Sequence, residues 1–274
     1  LAKVVTSLLG KAPEQVIVSE PKYYAALNEL VNEQTFESMR SWLFVKTLLG
    51  LTGLLSDEIR VLGGTYNRAL SGSKEAIATN QYSQVVGLYY AHKYFGAQAK
   101  ADVHHMVEKM IAVYKKRLEE NEWLSDETRK KAIVKLDALG INVGYPDELD
   151  PLYSKFIVDD DLNLVDNVTK FTKIVTKRHF ERIDEKVDRT RWEMPAHMVN
   201  AYYHPSFNII VFPAAILQAP FYSLEQTSSA NYGGIGAVIA HEISHAFDNN
   251  GAQFDEHGNL ANWWTKEDLA HFQK

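Results

Sequence analysis

The sequence contains no cysteine. No disulfide can form and no thiolate can hold a metal, so any metal site must be built from histidine and carboxylate. The absence fits a reducing cytosol but also many secreted proteins of Gram-positive bacteria, so it decides little. The expectation is a cytoplasmic protein, with a secreted or cell-surface protein of a Gram-positive bacterium as the alternative. Long apolar runs are missing too. The most apolar stretch, WLFVKTLLGLTGLL at 42–55, is interrupted by Lys46. It is too short to span a bilayer, so it reads as a buried helix and no transmembrane segment is expected. No lysine or arginine cluster stands out and the net charge is −6, so nucleic acid is not an expected partner. The chain opens with neither a methionine nor a signal-peptide pattern, and residue 1 is not expected to be the native start.

What is present is ordinary for a globular protein: 274 residues, 46% hydrophobic and 23% charged, enough for one large domain or two smaller ones. Up to about residue 190 the pattern is helical. In residues 101–121, Val103, Met106, Val107, Met110, Ile111, Tyr114 and Leu118 recur at three- and four-residue steps and form one apolar stripe. Ser125 is a cap for the next helix, which runs through Ala132, Ile133 and Leu136 to a stop near Gly140. GYPDELDP at 144–151 reads as a loop, and residues 24–55 and 82–96 supply further helices. Near residue 191 the character changes. HMVNAYY (197–203) and NIIVF (208–212) are β-prone runs separated by HPSF, which predicts a hairpin. NYGGIGAVIAHEISHAFDNNG (231–251) then predicts a helix over about 236–248, with Gly251 as its stop.

That last segment carries chemistry. His241 and His245 are four residues apart, a net rotation of about 40° at helical pitch, so both rings leave one face and can converge on one ion. Neutral imidazole suits zinc, and Glu242 beside the pair can take a proton from a zinc-activated water. Asp248 falls within about 20° of His241 on the same helical wheel. A carboxylate there can accept the outer N–H of a ligating histidine and fix its tautomer. The bland alternative is a polar helix face that happens to carry two histidines. Asn200-Ala201, about 40 residues upstream, offers an amide and an unobstructed backbone for pairing with an extended peptide. On the dipeptide alone, an ordinary edge strand is the better explanation. His104 and His105 point about 100° apart on a helix and read as surface residues.

VNAYYHPSFNIIVFPAAILQAPFY, NYGGIGAVIAHEISHAFDNNG, GNLANWWT and, far upstream, WLSDETRKKAIVKLDAL with VGYPD resemble the neprilysin and endothelin-converting-enzyme family of zinc endopeptidases. The lack of cysteine makes the chain most similar to the family's bacterial oligopeptidase O members. The resemblance implies a mainly α-helical fold: a helical covering lobe (residues 1–185, partial) and the start of a thermolysin-like zincin catalytic lobe with a short β-hairpin (186–274, partial). It implies His241 and His245 as zinc ligands, Glu242 as catalytic base, Asp248 as the partner orienting a ligand histidine, and Asn200 and Ala201 as binders of the substrate backbone. Oligopeptides are the implied substrates.

The resemblance also implies a third zinc ligand, a glutamate on a later helix, for which the 29 residues after His245 hold no matching motif. The chain therefore reads as an internal piece of a longer peptidase, inactive alone, with exposed apolar surface that favours self-association. Glu267 lies at a thermolysin-like spacing from His245, but Thr265 ahead of it looks like a helix cap, which makes Glu267 and Asp268 first-turn carboxylates. Glu256 is the weaker candidate. The alternative function is a non-catalytic binding protein on a peptidase scaffold.

Overall fold

A computed structural model of the chain describes residues 2–14, 16, 18, 20–65 and 82–273. The chain divides into two compact units, each assembled from two stretches of sequence: Leu1–Gln81 with Pro151–Lys186, and Tyr82–Asp150 with Val187–Lys274.

The first unit holds helices α1 (Ala2–Leu9), α2 (Pro21–Leu30), α3 (Phe36–Leu51), α4 (Asp57–Gly63) and α8 (Leu164–Glu181), with α1 packed on α8. The stretch expected to be a buried helix forms α3 and the short turn after it, but α3 has no buried residue, and Phe44 is 69% exposed. Its apolar side chains lie all round the axis rather than in one stripe, so packing on one side cannot hide them. Among the described residues no helix is long and apolar enough to cross a membrane.

The second unit holds α5 (Ser83–Tyr94), α6 (Gly96–Glu119), α7 (Asp126–Asp137), β1 (Gly140–Gly144), β2 (Tyr202–His204), β3 (Ile209–Pro213), α9 (Ser228–Gly233), α10 (Ile235–Ser244) and α11 (Lys266–Phe272). The strands form one sheet in the order β1-β3-β2. The expected hairpin is present: β2 runs antiparallel to β3 and pairs Tyr202 with Val211 and His204 with Ile209. Its first strand is shorter than expected, because residues 197–201 run into it without pairing. β1, unforeseen, runs parallel to β3 and pairs Gly140 with Ile209 and Gly144 with Pro213. The central strand β3 is buried along its whole length, as its unbroken apolar run requires.

One core joins these parts. The α6 stripe contributes Val103, Met106, Val107 and Ile111, β3 contributes Ile210 and Phe212, and α10 contributes Ile235, Ile239 and Ile243. The three α10 isoleucines are wholly buried and spaced four apart, which fixes the rotation of the helix and so the direction of its other faces.

A second cluster clamps the two helix starts that the sequence identified. Ser125 caps α7 by accepting from the Thr128 N–H, and Thr265 caps α11 by accepting from the Asp268 N–H. Asp268 itself is 4% exposed and accepts from the Ser125 N–H (3.1 Å) and the Ser125 hydroxyl (2.5 Å). Burial alone would raise its pKa, but the hydrogen bonds from Ser125, Thr128 and Thr265 outweigh it and hold the carboxyl down to about 2. A carboxyl depressed on folding stabilises the protein above its unfolded value near 3.8, and that contribution is lost as pH falls towards about 2. Asp268→Asn is therefore expected to cost about 1–3 kcal/mol at neutral pH. Its deficit against wild type should shrink through the same acid window in denaturant titrations. A deficit that does not change with pH would show that the charge is irrelevant.

Candidate active site

α10 carries the two histidines out of the core. Its buried isoleucines face the sheet and α6, and the Tyr114 hydroxyl of α6 donates to the Ala240 carbonyl (2.9 Å). His241 is exposed on the far side. The helix is shorter than the sequence suggested. It ends at Ser244, with His245 as a helical cap residue (φ −61°, ψ −21°) whose N–H still bonds to the His241 carbonyl. No break separates the two histidines. Beyond them the chain leaves the helix because Asp248 captures the N–H groups of Asn250 (2.9 Å) and Gly251 (2.8 Å).

The Nε2 atoms of His241 and His245 face each other at 3.0 Å, with the rings nearly perpendicular. Asp248 reaches His245 from a turn rather than from the helical wheel, and its Oδ2 lies 2.6 Å from His245 Nδ1. Burial works to raise the Asp248 pKa, but the Gly251 N–H, His245 and the Asn250 N–H prevail and hold it below the usual carboxylate value. An ionised Asp248 is acceptor-only, so His245 carries its proton on Nδ1 and presents the Nε2 lone pair towards His241. Two tetrahedral zinc ligands with bonds of 2.0–2.1 Å stand about 3.4 Å apart. The pair lies within a few tenths of an ångström of that span, its donors are imidazole nitrogens, and Asp248 stands behind His245. These residues fit a zinc ion.

Glu242 is buried beside the histidine pair. It is 6% exposed, and burial raises its pKa against the opposing pull of His245, His241 and the Tyr203 N–H. Tyr203 lies on β2, the edge strand, so the glutamate is tied to the strand beside the helix. Asn200 and Ala201 immediately precede that strand. Asn200 is exposed, while Ala201 is buried in the core and its N–H donates to the Asn200 side-chain oxygen (2.9 Å). The Ala201 backbone is thus less open than the sequence suggested.

Glu267 sits exposed in the first turn of α11, where its cap placed it. Glu256 is half-buried, with its carboxylate 3.6 Å from His257. Among the described residues no group of three or more histidine, cysteine, aspartate or glutamate side chains is placed to hold a metal ion. His104 and His105 lie near Glu108 with largely open side chains, away from any such group.

Three residues that sequence reasoning passed over hold this region together. Lys135 is buried and donates to three carbonyls of residues 246–254. Arg189 donates to the carbonyls of Phe207, Asn208 and Ala138. Asn208 takes the left-handed conformation (φ 47°) in the hairpin turn, and its amide donates to the carbonyls of Lys135 (3.1 Å) and Glu256 (3.2 Å). The available signal was Lys135 itself: a lysine beside Ala132, Leu136 and Leu139 on the apolar side of a helix.

Two sequence models of peptidase family M13 match the chain, over residues 1–146 and 200–274. A neutral endopeptidase of Lactococcus lactis is 51% identical across the whole chain, which covers 45% of that relative. The crystal structure of PEPO from Lactobacillus rhamnosis superposes with a TM-score of 0.84 at 44% identity, covering 90% of this chain and 41% of that one. The inhibitor complex of the Mycobacterium tuberculosis zinc metalloprotease ZMP1 gives a TM-score of 0.82 at 34% identity, covering 99% and 42%. The chain spans less than half the length of the relatives it matches. These matches bear out the expected resemblance and the mainly α-helical fold with a short hairpin. They overturn the cytoplasmic expectation, since the bacterial relatives are neutral endopeptidases. That expectation leaned on the absence of cysteine, and a chain without thiols is equally sound in an oxidising medium. With both halves matched in order, the chain belongs to peptidase family M13.

Proposed function

We propose that this chain carries the histidine helix of a zinc endopeptidase that hydrolyses oligopeptides. The observation that carries the reading is the arrangement of His241, His245 and Asp248, with the buried Glu242 tied to the edge strand beside them. When bound, zinc supplies a Lewis acid that polarises a peptide carbonyl and acidifies water. His241 and His245 would hold it through Nε2, and Asp248 keeps His245 in the tautomer that can do so. Glu242 takes a proton from the attacking water and later delivers it to the leaving amine nitrogen. Burial makes its carboxylate a stronger base than one in open solvent. An extended peptide pairs with the outer edge of β2, steered by Asn200 and the backbone at Ala201.

A second reading is a non-catalytic peptide-binding protein on a peptidase scaffold. It is favoured by one observation: among the described residues no third ligand joins the histidine pair. Mass spectrometry separates the two. The intact protein containing this chain is incubated with mixed oligopeptides, with zinc and with a chelator. Cleavage products that disappear on chelation support the peptidase. Peptides retained intact under both conditions support the binding protein.

A further inference from the structure

The most unusual charge in the second unit is not in the histidine site but behind it. Lys135, on α7, is 1% exposed. Its ammonium donates to the carbonyls of Ala246 (2.8 Å), Gly251 (2.6 Å) and Phe254 (2.6 Å). It also lies over the rings of Trp263 (5.6 Å) and Tyr203 (6.0 Å). Three carbonyls converging on one point need three donors from one atom, which among side chains only lysine supplies.

These carbonyls belong to the segment that aims Asp248. Ala246 directly follows His245, and Gly251 donates its own N–H to Asp248 Oδ1 while its carbonyl accepts from Lys135. The carboxylate therefore grips the N–H side of the turn and the ammonium grips its carbonyl side. Asp255, Asp248 and Glu256 are the charges that favour the ammonium. Burial still lowers its pKa to about 8, which leaves it mostly charged at neutral pH.

We infer that Lys135 is a positioning residue for the metal site: by clamping the Ala246 and Gly251 carbonyls it holds Asp248 in line with His245 Nδ1, and so sets the zinc affinity of the histidine pair. The inference rests on the zinc reading above and names a residue that touches neither histidine. Its alternative is a plug that satisfies three buried carbonyls and contributes only to stability.

A double-mutant cycle separates them. Zinc affinity and melting temperature are measured on the intact protein for wild type, Lys135→Met, Asp248→Asn and the double variant. If Lys135 acts through Asp248, Lys135→Met weakens zinc about 10- to 100-fold in the wild-type background. In the Asp248→Asn background the same change should move zinc affinity less than about twofold, while the melting temperature falls in both. An equal loss of affinity in both backgrounds, or none in wild type, overturns the inference. Should Lys135→Met fail to fold, Lys135→Arg is read in the same cycle. It keeps the charge but cannot place three donors on one point. Wild type that binds no zinc at all would instead sink the zinc reading itself.

Discussion

On the proposed peptidase reading, Glu242→Gln is expected to leave zinc binding close to wild type and to remove nearly all peptide hydrolysis from the intact protein. The side chain is not one of the two histidines assigned to hold the metal. It is buried on the inner side of α10, against β2, where the Tyr203 N–H already supplies one hydrogen bond. A carboxamide has the same shape and can accept that bond through its oxygen, so the helix should stay in place. What it cannot do is take a proton. Loss of general-base help costs about 10²–10⁴ in rate, and often more when the nucleophile is water. The fall should appear in kcat, with KM little changed, because peptide binding is assigned to the strand edge rather than to Glu242. Metal analysis beside a peptide-cleavage assay measures both quantities on one sample. Activity within a few-fold of wild type would show that another group is the base. A variant that had lost its zinc would show that Glu242 supports the ligands rather than the water.

Much of this arrangement was legible because it is written in local spacing. Helical rotation brings His241 and His245 together whatever surrounds them, and the stripe of Val103, Met106, Val107 and Ile111 could only be a buried helix face. Ser125 and Thr265 announced two helix starts through their side-chain chemistry. The hairpin followed from two β-prone runs with a turn between them. What escaped depends on partners distant in sequence. β1 is five residues long, begins and ends in glycine, and becomes a strand only because β3 offers it a ladder nearly 70 residues later. Asp268 read as a first-turn carboxylate, but its burial against Ser125 needs a contact 143 residues away. Lys135 is buried because carbonyls more than 110 residues further on require its donors. Asp248 shows the limit from the other side. The helical wheel put it on the face of the two histidines, whereas the structure brings it to His245 through a turn that begins where the helix stops.

Gly251 makes that last distinction measurable. As a helix stop it would tolerate alanine at a cost of about 1 kcal/mol or less, since a C-terminal glycine mainly eases backbone conformation. The structure assigns it another reason to be glycine. α10 has already ended at Ser244, and the chain turns back so closely that a Cβ on Gly251 would lie 1.8 Å from the His245 carbonyl oxygen and 2.9 Å from the Ala246 carbonyl carbon. Both obstacles are backbone, which cannot swing aside as a side chain could. Relief would have to come from opening the turn. That would pull the Gly251 N–H from Asp248 and the Gly251 carbonyl from Lys135. Gly251→Ala is thus expected to destabilise by at least the ~1–3 kcal/mol typical of overpacking. Because the displaced turn aims Asp248, it should also weaken zinc about 10- to 100-fold. Thermal unfolding and a zinc titration on the same preparation test the two effects together. A wild-type melting temperature would return Gly251 to the role of a simple stop. A large loss of stability with unchanged zinc affinity would show that the histidine pair does not depend on the turn behind it.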